Sequence, residues 1–172
     1  MITRCYLEIT NICNLDCKFC PKTVRANRSL TPQEFDCLTD RLRGEVKFLY
    51  FHLMGEPLLH RHLPQFIVTA REKGLIPVLT TNGTLLDKAQ DVIEAVPHKV
   101  QISLHSHEGN GKENFEEYIG GVMRFAKEAS SHGTIIVLRL WNQGGYDTAN
   151  TQLVELLEQH VPRPWVERHD GW

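Results

Sequence analysis

No stretch of this sequence approaches the roughly 20 consecutive apolar residues of a membrane-spanning helix. The chain also opens without the charged-then-apolar segment of a secretory signal. Neither charge is in excess: 19 Lys and Arg stand against 21 Asp and Glu, a formal net charge of -2. That balance supplies no basic footprint for nucleic acid and no polybasic patch for a membrane surface. Low-complexity stretches, internal linkers and repeats beyond a β/α unit are missing as well. A soluble, cytoplasmic protein without nucleic-acid or membrane partners is the expectation. Cysteine is scarce and unevenly spread, five in 172 residues with none after Cys37. A secreted disulfide framework distributes an even number over its loops, so the pattern favours metal binding in a reducing compartment. Cys5, in an apolar strand, and Cys37, in a helix, read as small buried residues.

The most informative absence is a fourth cysteine beside Cys13, Cys17 and Cys20. Three thiolates on one short loop can hold three corners of an iron–sulfur cluster and leave the fourth iron open. Structural zinc sites and electron-transfer clusters fill the fourth position with protein. The C-x3-C-x2-C spacing differs from the ferredoxin run and lacks the paired C-x2-C halves of a zinc ribbon. An open corner suggests chemistry rather than electron storage.

What is present is a regular alternation of strand-like and helix-like runs, at a length sufficient for one domain with a real core. Strands are expected at Tyr6–Thr10, Val46–Met54, Pro77–Thr81, Val100–His105 and Thr134–Trp141. The first helix is announced by Thr31-Pro32-Gln33-Glu34, an N-cap, a proline at the first helical position and the glutamate of a capping box. Later helices carry Leu63, Phe66, Ile67 and Ala70; then Leu86, Ala89, Val92, Ile93 and Val96; then Phe115 to Ala129; then Leu153 to Val161. Such alternation predicts an α/β fold, a parallel sheet with helices packed on it. Ligands in these folds sit at the carboxyl ends of the strands. The cysteines follow strand one, Gly55-Glu56-Pro57 follows strand two and Asn82-Gly83 follows strand three, all on one rim.

Period two sends alternate strand residues to opposite faces. One face is apolar throughout. The other carries Glu8, His52, Gln101, Ser103, His105 and Arg139. Buried charges are costly unless paired or hydrated, so this face is either a ligand-lined cavity or a mutually satisfied network, with Glu8 and Arg139 as a possible pair. His60 and His62 have no upstream partner and read as surface residues; Trp141, Trp165 and Trp172 read as packing.

The three cysteines, Phe19 before the last of them, and Gly55-Glu56-Pro57 after strand two resemble the radical S-adenosylmethionine (radical SAM) superfamily along essentially the whole chain. With Thr81-Asn82-Gly83-Thr84, the likeness is greatest to members that mature peptides or build cofactors. The resemblance implies a partial (β/α) TIM-like barrel, with residues 1–172 as the radical SAM core domain. It implies a [4Fe-4S] cluster on Cys13, Cys17 and Cys20, chelated at its open iron by S-adenosyl-L-methionine. Reductive cleavage then yields a 5′-deoxyadenosyl radical that abstracts hydrogen from a peptide or small-molecule substrate, with flavodoxin or ferredoxin as electron donor. The site residues it implies are Gly55, Glu56 and Pro57 at the methionyl ammonium and Phe19 near the adenine. Ser103 and Asn82 are implied at the ribose, Ser103 or Arg139 at the carboxylate. Only five β/α units precede Trp172 where the family has six, and no cysteine follows Cys37 for an auxiliary cluster. Two other readings stay open: a cluster-binding module without catalysis, and a structural zinc site completed by Cys37.

Overall fold

The computed structural model describes residues 2–108, 115–140 and 150–161. Its strands are β1 (Ile2–Tyr6), β2 (Val46–Tyr50), β3 (Ile76–Thr81), β4 (Lys99–Ser103) and β5 (Ile135–Arg139). Its helices are α1 (Pro32–Leu42), α2 (Leu63–Glu72), α3 (Gln90–Ala95), α4 (His105–Glu108), α5 (Phe115–Ser131) and α6 (Asn150–His160). The strands form one sheet in the order β1-β2-β3-β4-β5, every neighbouring pair parallel. Parallel neighbours need a crossover, and the helices supply it.

α1 begins where its sequence signals place it. Thr31 Oγ1 accepts from the Glu34 backbone N–H and the Glu34 carboxylate accepts from that of Thr31, a complete capping box with Pro32 at the first helical position. The core lies between the helices and one face of the sheet. Leu49, Phe51, Val100, Ile102 and Leu104 are fully buried there. Phe35 of α1 stacks on Phe66 of α2 at 4.0 Å and meets Phe51 edge-on at 5.6 Å, joining two helices to the chain after β2. On the opposite face, Tyr6, Phe48, Thr80, Gln101, Ser103 and Arg139 remain partly exposed. Tyr50 and Val78 on that face are nonetheless buried, so its accessible groups lie chiefly toward the strand ends.

Several elements differ from expectation, each for a physical reason. β1 ends at Tyr6 instead of running from Tyr6 to Thr10, because the chain changes partner. The Leu7 N–H still donates to the Tyr50 carbonyl, but Ile9 and Asn11 pair with Leu30 and Arg28, and Thr10 bridges Ser29 antiparallel. The apolar alternation of Leu7 and Ile9 persists in an extended segment that has left the sheet. β2 ends at Tyr50, four residues short of Met54, as the chain turns toward Gly55. β4 stops at Ser103 and His105 opens α4. The single helix expected over Leu86–Val96 is a 3₁₀ turn, Leu86–Lys88, followed by the short α3. Cys37 is exposed on α1 rather than buried, while Cys5 is half-buried and packs on the core. Trp141, Trp165 and Trp172, and the segment after Val161, lie outside the described residues.

Candidate active site at the strand ends

The segment from Asn11 to Arg28, between β1 and α1, is closed at its neck chiefly by the Asn11 side chain. Asn11 Nδ2 donates to the Ala26 carbonyl at 2.9 Å, and its Oδ1 accepts from the Arg28 N–H at 2.7 Å. Thr10 and Ser29 reinforce the closure through their hydroxyls, 2.8 Å apart. The loop so formed carries Cys13, Cys17 and Cys20, all as thiols, with a tight turn from the Cys20 N–H to the Cys17 carbonyl. Lys22 pairs with Asp16 across the same loop. The Leu15 N–H and Asn82 Nδ2 both point at Cys13 Sγ, at 3.5 and 3.9 Å. Burial raises the Cys13 thiol above its ordinary range; the Leu15 N–H opposes this, and negative charge on Glu56 and the other two cysteines adds to it. Among the described residues no group of three His, Cys, Asp or Glu side chains is arranged for a single metal ion. The donor set fits a polynuclear centre: three soft thiols on one loop, with N–H donors aimed at sulfur.

Gly55-Glu56-Pro57 stands directly against this loop. Gly55 adopts φ +77°, and a Cβ there would lie 2.5 Å from the Thr10 carbonyl oxygen, so only glycine lets the two segments touch. The Glu56 N–H donates to the Ile12 carbonyl at 2.8 Å, next to Cys13. The Glu56 side chain turns inward and is 1% exposed. Its carboxylate accepts from the Leu58 N–H at 3.0 Å, the Thr81 hydroxyl at 2.8 Å and the Asn82 N–H at 2.8 Å. Burial raises its pKa while those three donors pull the other way. Pro57, buried, opens the 3₁₀ turn that Glu56 caps. The carboxylate expected at an ammonium is therefore engaged with the end of β3.

Asn82, 8% exposed, is bound on every polar atom. Its Nδ2 donates to Asn14 Oδ1 at 3.0 Å and toward Cys13 Sγ, and its Oδ1 accepts from the Thr84 N–H and hydroxyl at 3.0 and 2.7 Å. Asn14 Nδ2 closes the ring onto Thr84 Oγ1 at 2.8 Å. Tyr118 of α5 donates from its hydroxyl to the Asn82 carbonyl at 2.8 Å, and burial pushes that phenol well above its ordinary pKa. Gly83 leaves room for it, since a Cβ at Gly83 would lie 2.8 Å from the Tyr118 hydroxyl.

The β4–β5 side brings the remaining residues together. Ser103 and Arg139 are register partners. Phe19, from the cysteine loop, lies 5.1 Å from the His105 ring. His52, beyond the end of β2, packs edge-on against Tyr6, which stacks on Tyr50 at 4.9 Å. Its buried Nδ1 has no hydrogen-bond partner among the described residues. Burial first and the Arg139 charge second hold His52 at about 4; burial and that same charge hold His105 at about 4. Both imidazoles are neutral at pH 7. Glu8 lies past the end of β1, where it accepts from the Met54 N–H at 3.1 Å and pairs with Arg25 at 2.7 Å. His60, expected at the surface, is 4% exposed: its Nε2 bonds the Leu30 carbonyl at 2.9 Å and its Nδ1 accepts from the His62 N–H.

The rim thus gathers the cysteines, Gly55-Glu56-Pro57 and Asn82, with Phe19 reaching across to His105 at the start of α4. Asn11 and Tyr118 were not anticipated. Asn14 and Thr84 sit inside the flanking motifs; Tyr118 sits on the apolar stripe of α5 and carried no separate signal.

Comparison with known proteins agrees with this geometry. The family model described as the Radical SAM superfamily matches residues 7–159. The chain is 35% identical over 84 residues to Fe-coproporphyrin III synthase of Methanosarcina barkeri, covering 47% of this chain and 21% of that protein. It is 27% identical over 128 residues to PqqA peptide cyclase of Granulibacter bethesdensis, covering 71% of this chain and 34% of that protein. It therefore spans well under half the length of either relative. Streptococcus suis SuiB bound to precursor peptide SuiA superposes with a TM-score of 0.70 at 17% identity, over 92% of this chain and 37% of that one. BtrN in complex with AdoMet and 2-DOIA gives 0.64 at 21% identity, over 81% and 57%. These structural likenesses assign the open parallel sheet to a TIM-like partial barrel.

Proposed function

Because the chain belongs to the radical SAM superfamily, we propose that residues 1–172 form a catalytic core in which Cys13, Cys17 and Cys20 hold a [4Fe-4S] cluster beside S-adenosyl-L-methionine. When bound, these groups supply one electron and a 5′-deoxyadenosyl radical that takes a hydrogen atom from substrate. The chain's own part is to bind, orient and shield. The neck at Asn11 and Ala26 holds the three thiols on one closed loop. The contact of Glu56 N–H with the Ile12 carbonyl carries this reading, because it fixes Gly55-Glu56-Pro57 beside the first cysteine. In that position the segment meets the methionyl ammonium, with Phe19 near the adenine and Ser103 and Arg139 toward ribose and carboxylate. With His52 and His105 neutral, the charge of Arg139 beside Ser103 suits an anionic group.

The substrate is a peptide or a small molecule, since both kinds of modifying enzyme are among the relatives. Flavodoxin or ferredoxin serves as electron donor. Anaerobic reconstitution with iron and sulfide should give about four irons per chain. Addition of S-adenosylmethionine and a strong reductant should then release 5′-deoxyadenosine, seen by liquid chromatography. A chain that binds the cluster but whose electron paramagnetic resonance is unmoved by S-adenosylmethionine would instead be a cluster-binding module without catalysis.

A further inference from the structure

We infer that Asn82 is a positioning residue for Cys13, donating to its sulfur and thereby raising the reduction potential of a cluster held there; this rests on the reading of Cys13, Cys17 and Cys20 as cluster ligands. Sequence alone places Asn82 in a turn that both Asn and Gly tolerate. The structure uses it differently. Both donor directions of its amide go to the cysteine loop, to Asn14 Oδ1 at 3.0 Å and Cys13 Sγ at 3.9 Å. Its Oδ1 is taken by Thr84, which also accepts from Asn14, so three side chains form a closed ring that fixes the amide's orientation.

The backbone beneath that ring is equally fixed. The Asn82 N–H is held by Glu56, its carbonyl accepts from Tyr118, and Gly83 admits the tyrosine hydroxyl where a Cβ would collide. Swinging the amide toward a ribose would break its bonds to Thr84 and Asn14 and open the ring. An amide held this way acts on the sulfur. N–H donors to a ligating thiolate withdraw electron density and favour the reduced cluster, one of the means by which proteins set iron–sulfur potentials. Leu15 supplies a second N–H to the same sulfur from the backbone, so Asn82 is the part of that donor pair that a substitution can remove.

The test is a redox titration of the reconstituted protein, followed by electron paramagnetic resonance without S-adenosylmethionine. Asn82→Ala should shift the reduction equilibrium about tenfold toward the oxidised cluster, about 59 mV lower for a one-electron couple. Asn82→Asp keeps the shape and the Thr84 contacts but replaces the donor by a charge. It should move further in the same direction, and it stands in if the alanine variant does not fold. Thr84→Val opens the ring yet leaves the Asn82 amide, and should shift the potential less than either. Potentials equal to wild type in both Asn82 variants, at wild-type iron and sulfide content, would overturn the inference and leave the cluster reading intact. A wild-type chain that takes up no iron and sulfide would remove both.

Discussion

The two halves of the rim are built by different means. Around β1–β3 the functional segments are bound to one another by hydrogen bonds that end largely on backbone groups: Glu56 to Ile12, Leu58 and Asn82, Asn11 to Ala26 and Arg28, Tyr118 to Asn82. Around β4–β5, Ser103 and Arg139 are register partners in the ladder, Phe19 meets the His105 ring, and His105 bonds the Arg139 backbone. The first half is a rigid mount. The second is a lining carried on the ends of two paired strands. That division matches the chemistry asked of each, since a cluster tolerates little misplacement of its ligands whereas substrates differ between enzymes of one fold.

Substitutions can break this contrast in decreasing order of effect. Cys17→Ala should abolish cluster assembly, with iron per chain near zero and an unchanged circular dichroism spectrum, while Cys37→Ala on exposed α1 should retain full iron content. A Cys37→Ala chain that lost its iron would make Cys37 a cluster ligand, whereas one zinc and no sulfide in the wild-type chain would revive the zinc reading. Gly55→Ala sets a Cβ 2.5 Å from the Thr10 carbonyl at φ +77° and should cost about 2–4 kcal/mol in urea unfolding. Gly74→Ala, also at positive φ but with nothing within 4 Å, should cost about 1 kcal/mol. Equal losses at the two glycines would deny the close approach its role.

The lining has its own signature in pH. His52 is held at about 4, below the ordinary imidazole value of 6.5, so the unfolded chain binds this proton first on acidification. Its contribution is complete above pH 6.5 and is lost as pH falls toward 4, on the order of 2 kcal/mol after allowance for partial exposure. Urea unfolding from pH 7 to pH 4 should show that decline together with a matching one from His105, and His52→Asn should remove only its own share. The smallest effect concerns the mount: Tyr118→Phe should lose about 1 kcal/mol, the bond to the Asn82 carbonyl, without altering the acid limb.

The order of elements was legible because apolar periodicity survives in strands and helices packed on one core. So was the rim, because the cysteines, Gly55-Glu56-Pro57 and Asn82-Gly83 each follow a strand. The end of β1 was not, since Leu7 and Ile9 keep their alternation while pairing passes from β2 to the segment before α1. Burial of His60 was hidden for a similar reason: its partner, the Leu30 carbonyl, is a backbone atom thirty residues away that no side-chain pattern announces. The inward turn of Glu56 escaped for the opposite reason. A glutamate in a turn has many local acceptor roles, and only the arrival of Thr81 and Asn82 decides among them.

One consequence belongs to the neck formed by Asn11 and Ala26. A loop closed by its own protein contacts has already lost much of its chain entropy before any metal arrives. Iron and sulfide then meet thiols on a ring of restricted shape instead of a loose strap, and their binding free energy is spent less on ordering the chain. Cluster loss, by oxidation for example, should leave that ring standing, ready to be refilled without refolding the barrel around it.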